Sequence, residues 1–346
     1  MKTFYNHLHA RHQGKVEMFR GELVPCFEVP ARADYVLAEV QRRKLGPVLQ
    51  PQVHDDAALA RIHSPRYLNF LATAWDQWLA LDAANAGKDI LPSVWPGRTL
   101  RTDVEPDNFS AKVGLYAFDA GTPFTSGTWV AARTGAHCAL SAAQAVLDGD
   151  AAAFALSRPP GHHAGADFFG GYCFLNNAAL AAQHLRDAGL ERVAVLDIDY
   201  HHGNGTQACF YDRPDVFFAS IHGDPRTEYP FFLGHADETG VGAGLGANLN
   251  IPLPRGTGFE VWSAALEHAL GAIQRFGAQA LVVSLGMDTF VGDPISGFTL
   301  HSDDYLRVGQ RLAAAGLPTA LVFQGGYAVA EVGVNAVNVL EGFVGA

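Results

Sequence analysis

At 346 residues, 49% of them hydrophobic and 17% charged, the chain is long enough to bury a large core and too apolar for a disordered protein. Its 24 basic and 35 acidic residues give a formal charge of −11, which disfavours nucleic acid as a partner and mildly favours cationic ligands. Four cysteines without CxxC spacing, no signal-peptide core and no bilayer-length apolar run point to a reduced, cytoplasmic protein with no membrane partner.

Residues 1–50 mix short apolar stretches with basic residues. Pro30 starts a predicted helix that runs through Asp34–Arg43 and ends at Gly46-Pro47. A second helix is predicted from about Pro65 to Leu81, where Tyr67, Phe70, Trp75 and Trp78 fall at helical spacing and read as core or interface. Residues 82–126 are punctuated by Gly87, Pro92, Pro96, Gly97, Pro106, Gly121 and Pro123, and no periodicity survives in them. A loop of that length inside a compact domain is usually functional or an interface. It reads as an excursion from one domain spanning 1–346, because the alternation of strand and helix resumes only after it. From Gly127 strands are predicted at Ala152–Ser157, Arg192–Asp197, Val216–Ile221, Asn248–Ile251, Ala280–Leu285 and Thr319–Phe323. Helices are predicted at about Thr128–Leu147, Asn176–Ala188, Phe259–Phe276, Ser302–Ala315 and Val329–Phe343. Such alternation gives an α/β fold with a mostly parallel sheet covered on both faces.

Chemistry gathers at the strand ends. Arg192-Val193-Ala194-Val195-Leu196 leads directly into Asp197-Ile198-Asp199-Tyr200-His201-His202-Gly203-Asn204-Gly205. If the chain stays extended there, Asp197, Asp199 and His201 share a face. Carboxylates and an imidazole so placed suit zinc or another first-row ion, with positions left for water or substrate. In an open parallel sheet ligands bind beyond the carboxyl ends of the strands, and the other ends agree. Ser157 runs into Arg158-Pro159-Pro160-Gly161-His162-His163, Ile221 into His222-Gly223-Asp224, Leu285 into Gly286-Met287-Asp288, and Phe323 into Gln324-Gly325-Gly326-Tyr327. Asp288 is the natural third ligand beside Asp199 and His201. His162 and His163 can serve as general base and acid, and the Tyr327 phenol can donate to a developing oxyanion. A plainer reading, with acids in salt bridges and histidines capping helices, leaves the agreement of separate strand ends unexplained.

Other features fade. Gly240–Gly246 looks like a phosphate loop, but it precedes a strand and lacks Lys-Ser/Thr. Ser284 has no nucleophile elbow around it, and His137, His184 and His268 fall within helical patterns as surface or structural residues.

With Arg158–Gly165, Gly170-Gly171-Tyr172-Cys173-Phe174-Leu175-Asn176-Asn177, Asp197–Gly205, Asp288–Pro294 and Gly325–Tyr327 in order, the chain resembles the histone deacetylase superfamily, most of all its bacterial acetylpolyamine amidohydrolases. The resemblance covers nearly the whole chain and implies a single arginase-like α/β domain with a central eight-stranded parallel sheet and helices on both faces. It implies Asp199, His201 and Asp288 as zinc ligands, His162 and His163 as tandem histidines with His163 the proton shuttle, and Tyr327 as oxyanion stabiliser. It further implies an inner potassium site at Asp197, with backbone near His201 and Ser220, and a second around Phe210, Arg213 and Val216. Gly171, Tyr172, Tyr229 and Ile295 correspond to walls of a narrow acyl channel. Asn204 stands where some protein deacetylases have aspartate, so His163 is less biased toward imidazolium. The excursion at about 82–126 resembles the insertion with which the polyamine-type enzymes dimerise and roof their sites, and Thr102-Asp103-Val104-Glu105 within it makes Glu105 a candidate for the distal ammonium of the substrate.

The reaction so implied is zinc-dependent removal of acetyl groups from small cationic acetylated amines, acetylputrescine or acetylcadaverine among them, with His163 acting as base and then acid. A protein or peptide acetyl-lysine deacetylase is the main rival, and a roofed entrance disfavours it. An arginase-type ureohydrolase needs further bridging carboxylates near Asp288, which Met287 and Thr289 do not supply. A non-catalytic acetyl-amine-binding module predicts loss of a ligand, a histidine or the tyrosine, and all are present.

Overall fold

The computed structural model describes all 346 residues. Along the chain it runs β1 (Lys2–Tyr5), β2 (Val16–Phe19), β3 (Glu22–Pro25), α1 (Ala31–Arg43), β4 (Val48–Leu49), α2 (Asp56–Leu59), α3 (Pro65–Leu81), α4 (Phe109–Tyr116), α5 (Thr128–Leu147) and β5 (Ala152–Leu156). It continues with α6 (Asn177–Asp187), β6 (Val193–Asp197), α7 (Asn204–Phe210), β7 (Val216–Gly223), β8 (Asn248–Leu253), α8 (Phe259–Phe276), β9 (Ala280–Leu285), α9 (Ser302–Ala314), β10 (Thr319–Phe323) and α10 (Val332–Val344). Eight strands, all parallel, form one sheet in the order β4-β1-β5-β10-β9-β6-β7-β8. β2 and β3 make a separate antiparallel hairpin.

Period-two alternation divides each central strand between two cores. Phe154, Leu156, Ala194, Leu196, Leu281, Val283 and Leu285 face one side, where α1, α8, α9 and α10 bring Val36, Trp262, Val308 and Leu340. Ala153, Ala155, Val193, Val195, Ala280 and Val282 face the other. There α5 and α6 present mostly alanines, Ala139, Ala142, Ala143, Ala178, Ala181 and Ala182, and small side chains let these helices lie close on the sheet.

Two strands of the large sheet, β1 and β4, lie in the stretch where the sequence shows only short apolar fragments, as does the β2–β3 hairpin. β1 sits inside the sheet between β4 and β5, with Thr3 and Phe4 buried. Residues 82–126 also hold more order than their punctuation suggests. Asn108 caps α4, accepting from the Ala111 N–H at 3.1 Å, and Ile90 exchanges backbone hydrogen bonds with Phe124 at 2.9 and 3.0 Å. Ile90, Phe109, Val113, Tyr116 and Phe124 pack on Tyr67, Phe70 and Leu71 of α3 in a third cluster. The rest of the stretch leaves Val94, Trp95, Leu100 and Val104 exposed.

The strand order positions the site. After β6 the chain steps outward to β7 and β8; after β9, the neighbour of β6, it steps the opposite way to β10. The loops therefore diverge at the β6/β9 boundary and open a crevice beyond the carboxyl ends of those strands.

Candidate active site

Asp199, His201 and Asp288 meet in that crevice, with a ligand atom of each within 4.8 Å of the others and all three side chains buried. Each carboxylate is fixed by backbone donors. Asp197 Oδ1 accepts from the Asp199 N–H at 3.1 Å, Asp199 Oδ1 from the His201 N–H at 3.0 Å, and Asp288 Oδ1 from the Tyr200 N–H at 2.8 Å. Asp199 Oδ2 accepts from the Gly325 N–H at 2.8 Å, which ties the β10 loop to the cluster. The alternation read from the sequence thus holds for Asp199 and His201. Asp197 turns instead to a supporting position, accepting from His162 Nδ1 at 2.9 Å.

His201 Nδ1 lies 2.9 Å from Asp288 Oδ2 and 3.5 Å from Asp199 Oδ1. Burial opposes its charge, but the hydrogen bonds to Asp199 and Asp288 prevail and raise it to about 10. Burial, then the Asp199 charge, raises Asp288 to about 7; Asp199 itself is held low by His162 and His201 against its burial. Such a cluster retains protons that a divalent cation displaces on binding. Two carboxylates and an imidazole, with no lysine or arginine in the set, fit zinc or another first-row ion.

The tandem histidines separate in character. His162 is buried, yet Asp199 and Asp197 outweigh that burial and raise it to about 9. His163 is pushed well below the usual range by burial first and then by the charges of His162 and His201. Its Nδ1 donates to Asn204 Oδ1 at 2.6 Å, which leaves Nε2 as the free acceptor. Neighbouring groups whose environments drive their pKa values apart are the arrangement acid–base chemistry needs. Gln324 Oε1 accepts from the N–H groups of Gly161, at 2.7 Å, and His162, at 3.2 Å, and so joins the β5 and β10 loops.

A cavity of about 380 Å³ opens onto this centre and is lined by His163, Gly171, Tyr172, His201, Tyr229, Ile295 and Tyr327 together. Tyr172 meets Tyr327 edge-on with ring centroids 5.4 Å apart, and Tyr229 meets His163 at 5.2 Å. Glu17, Asp119 and Glu228 line the same cavity, and nothing in the sequence around them marks a site. Tyr172 Oη donates to Glu17 Oε1 at 2.8 Å; Tyr229 Oη and the Gly171 N–H both donate to Asp119 Oδ2 at 2.7 Å. Glu17 sits on β2, a strand too short to show a period, and Asp119 lies at the end of the punctuated excursion. A larger groove, about 570 Å³, lies between α8 and α9 but contains none of these groups.

Glu105 lies elsewhere. It is engaged by the Tyr116 hydroxyl and by Lys112 Nζ at 3.0 Å, and does not line the cavity of its own chain. Asp197 and Ser220 stand opposite each other in the β6–β7 register, and Ser220 Oγ is 2.9 Å from His222 Nδ1. Phe210, Arg213 and Val216 gather on the turn from α7 into β7, at the amino end of that strand.

A model of the histone deacetylase domain matches residues 26–343. The chain is 53% identical over 345 residues to acetylpolyamine amidohydrolase 2 of Pseudomonas aeruginosa, covering 100% of this chain and 99% of the relative. It is 48% identical over 348 residues to the acetylpolyamine amidohydrolase of Mycoplana ramosa, with 100% of both chains covered. Among solved structures, an acetylpolyamine aminohydrolase from Burkholderia pseudomallei superposes with a TM-score of 0.93 at 39% identity, over 99% of this chain and 98% of that one.

A Cβ at Gly325 would lie 2.5 Å from Asp199 Oδ2 and 2.7 Å from Asp288 Oδ2, whereas one at Gly87 meets nothing within 4 Å. Gly325→Ala is expected to weaken metal affinity by about 10–100-fold while Gly87→Ala leaves it intact. Elemental analysis after dialysis checks this, and a fully loaded Gly325→Ala protein would contradict it.

Proposed function

The chain belongs to the histone deacetylase family and is a deacetylase hydrolase, and from that premise we propose that it removes acetyl groups from acetylated polyamines of the acetylputrescine or acetylcadaverine type with zinc at Asp199, His201 and Asp288. The family's catalytic metal suits the donors present. Bound by Asp199, His201 and Asp288, a divalent cation would supply the Lewis acidity that polarises an acetyl carbonyl and lowers the pKa of water. His163, neutral and with Nε2 free, takes the water proton and returns it to the departing amine. The Tyr327 hydroxyl donates to the oxyanion that develops between these groups. Burial keeps the His163 ring neutral, and the charge of His162, paired with Asp197, adds to that effect.

The observation that carries the substrate class is the acidic lining of the cavity. Glu17, Asp119 and Glu228 face it against Arg20 on the lining and Arg255, 3.3 Å from Glu228, so the balance is negative and a slender chain with a distal ammonium is favoured over a neutral one. The names of the relatives at 53% and 48% identity support the same class. A protein or peptide acetyl-lysine substrate is the second reading; the aromatic walls Tyr172, Tyr229 and Tyr327 argue for a thin substrate.

The exposed Val94, Trp95, Leu100 and Val104 of the excursion suit burial against a second copy, which supports a homodimer with a roofed entrance. In such a dimer Glu105 would act near the partner's cavity, since it stands apart from its own. The pairing of Asp197 with Ser220 supports the inner potassium site, and the turn of Phe210, Arg213 and Val216 is the candidate for a second.

Acetate release from acetylputrescine, acetylcadaverine, acetylspermidine and an acetyl-lysine peptide tests the reading; faster turnover of the peptide would reverse the order. Tyr327→Phe is expected to lower kcat by about 10²–10³ without loss of zinc, with elemental analysis of the same samples reading zinc and potassium. Burial pushes the Glu17 carboxyl up to about 7 against the hydrogen bonds from Tyr172 and the Phe27 N–H. It is therefore neutral below that pH and negative above it. KM for acetylputrescine should fall by about three- to tenfold as pH rises through 7, and Glu17→Gln should flatten that dependence. Light scattering is expected to give twice the mass of one chain, reduced to a single chain by Trp95→Asp with Leu100→Asp; an unpaired wild-type chain would remove the dimer.

A further inference from the structure

Behind the Tyr327 ring lies a second set of buried charges, outside the proposed reaction. Glu28, Arg32 and Arg158 are all withdrawn from water, at 3%, 0% and 0% exposure. Arg158 grips Glu28 with both arms of its guanidinium, Nε to Oε1 and Nη2 to Oε2, each at 2.7 Å. Its remaining nitrogen, Nη1, donates to the carbonyls of His9 and His12 at 2.7 and 2.8 Å. Arg32 donates Nη1 to Glu28 Oε1 at 2.7 Å, Nε to the Gly326 carbonyl at 2.6 Å and Nη2 to the Gln324 carbonyl. The guanidinium of Arg32 lies 4.6 Å from the ring centre of Tyr327.

One carboxylate therefore joins two neighbouring cations that hold different loops of the site. Arg158 immediately precedes the turn that carries His162 and His163. Arg32 holds the backbone on either side of Gly325 and covers the face of Tyr327. Gln324, whose carbonyl Arg32 grips, reaches back with its side chain to the N–H groups of Gly161 and His162.

We propose that Glu28 is a positioning residue for the deacetylation, acting through Arg32 to hold the Tyr327 phenol in register with the His162–His163 turn. The inference rests on Tyr327 being the oxyanion donor. Removing the carboxylate leaves two guanidiniums buried without a counter-charge. Arg32 then has no anchor on its outer side, and its hold on Gly326 and on the tyrosine ring loosens. Glu28 is not among the residues lining the cavity, so substrate binding has no direct reason to change.

The test compares Glu28→Gln in the wild-type and Tyr327→Phe backgrounds, in metal-loaded full-length protein. In the first background kcat should fall about 10- to 100-fold with KM within about twofold and metal content unchanged. In the second the further loss should be under about threefold, because the group being positioned is already gone. Glu28→Asp, which keeps the charge on a shorter stem, should recover at least about tenfold over Glu28→Gln. If Glu28→Gln does not fold, Glu28→Asp is read through the same pair of backgrounds. An equal loss in both backgrounds, or a folded Glu28→Gln with wild-type kcat, overturns the proposal. Wild-type turnover in Tyr327→Phe alone would instead remove the tyrosine assignment on which it rests.

Discussion

Ionised groups are held out of water at the carboxyl ends of β6 and β9, and most of what surrounds them answers that demand. Desolvating one carboxylate costs several kcal/mol even after relaxation, and Asp197, Asp199 and Asp288 are all fully buried. Backbone N–H groups from residues 199, 201, 200 and 325 meet their oxygens. Gly325 and Gly286 carry no side chain because a Cβ at either would run into Asp199. His162 and His201 bring proton-bearing nitrogens, and a divalent cation bound at Asp199, His201 and Asp288 would take the place of the protons held there.

Charge alternates outward from that point. Carboxylates form the floor, histidines stand beside them, and Arg32 lies behind Tyr327 with Glu28 and Arg158 beyond it. At the mouth the sign is negative again, through Glu17, Asp119 and Glu228. Two of these acids are held by hydroxyls and backbone N–H groups that also build the walls, Tyr172 on Glu17 and Tyr229 with Gly171 on Asp119, whereas Glu228 pairs with Arg255. Wall shape and mouth charge are thus set by the same hydrogen bonds, so a change to either carboxylate alters both.

Much of this was legible in the chain because buried parallel strands are written as apolar runs and the reactive residues follow them directly. β5, β6, β9 and β10 and the groups after them could be read without coordinates. β1 and β4 could not, since four and two residues are too few to show a period and are strands only by pairing with their neighbours. α4 was hidden for a similar reason: eight residues in a glycine- and proline-rich stretch become a helix when Phe109 and Val113 find Tyr67 and Phe70. Glu17, Asp119 and Glu28 were invisible because a solitary acid acquires meaning only from what folds against it. Glu105 shows the reverse, a suggestive neighbourhood in sequence with Lys112 and Tyr116 as its partners in space.

The order of strands also bears on how the molecule is made. β5 and β6 are consecutive in the chain but stand apart in the sheet, and the gap between them is filled by β9 and β10, which begin at residues 280 and 319. A chain emerging from the ribosome therefore carries two unpaired, strongly apolar strand edges until nearly all of it has been synthesised. Such edges are templates for pairing with other chains. The last two strands act as a keystone, and a product truncated before them would be left as two half-sheets with a shared tendency to aggregate.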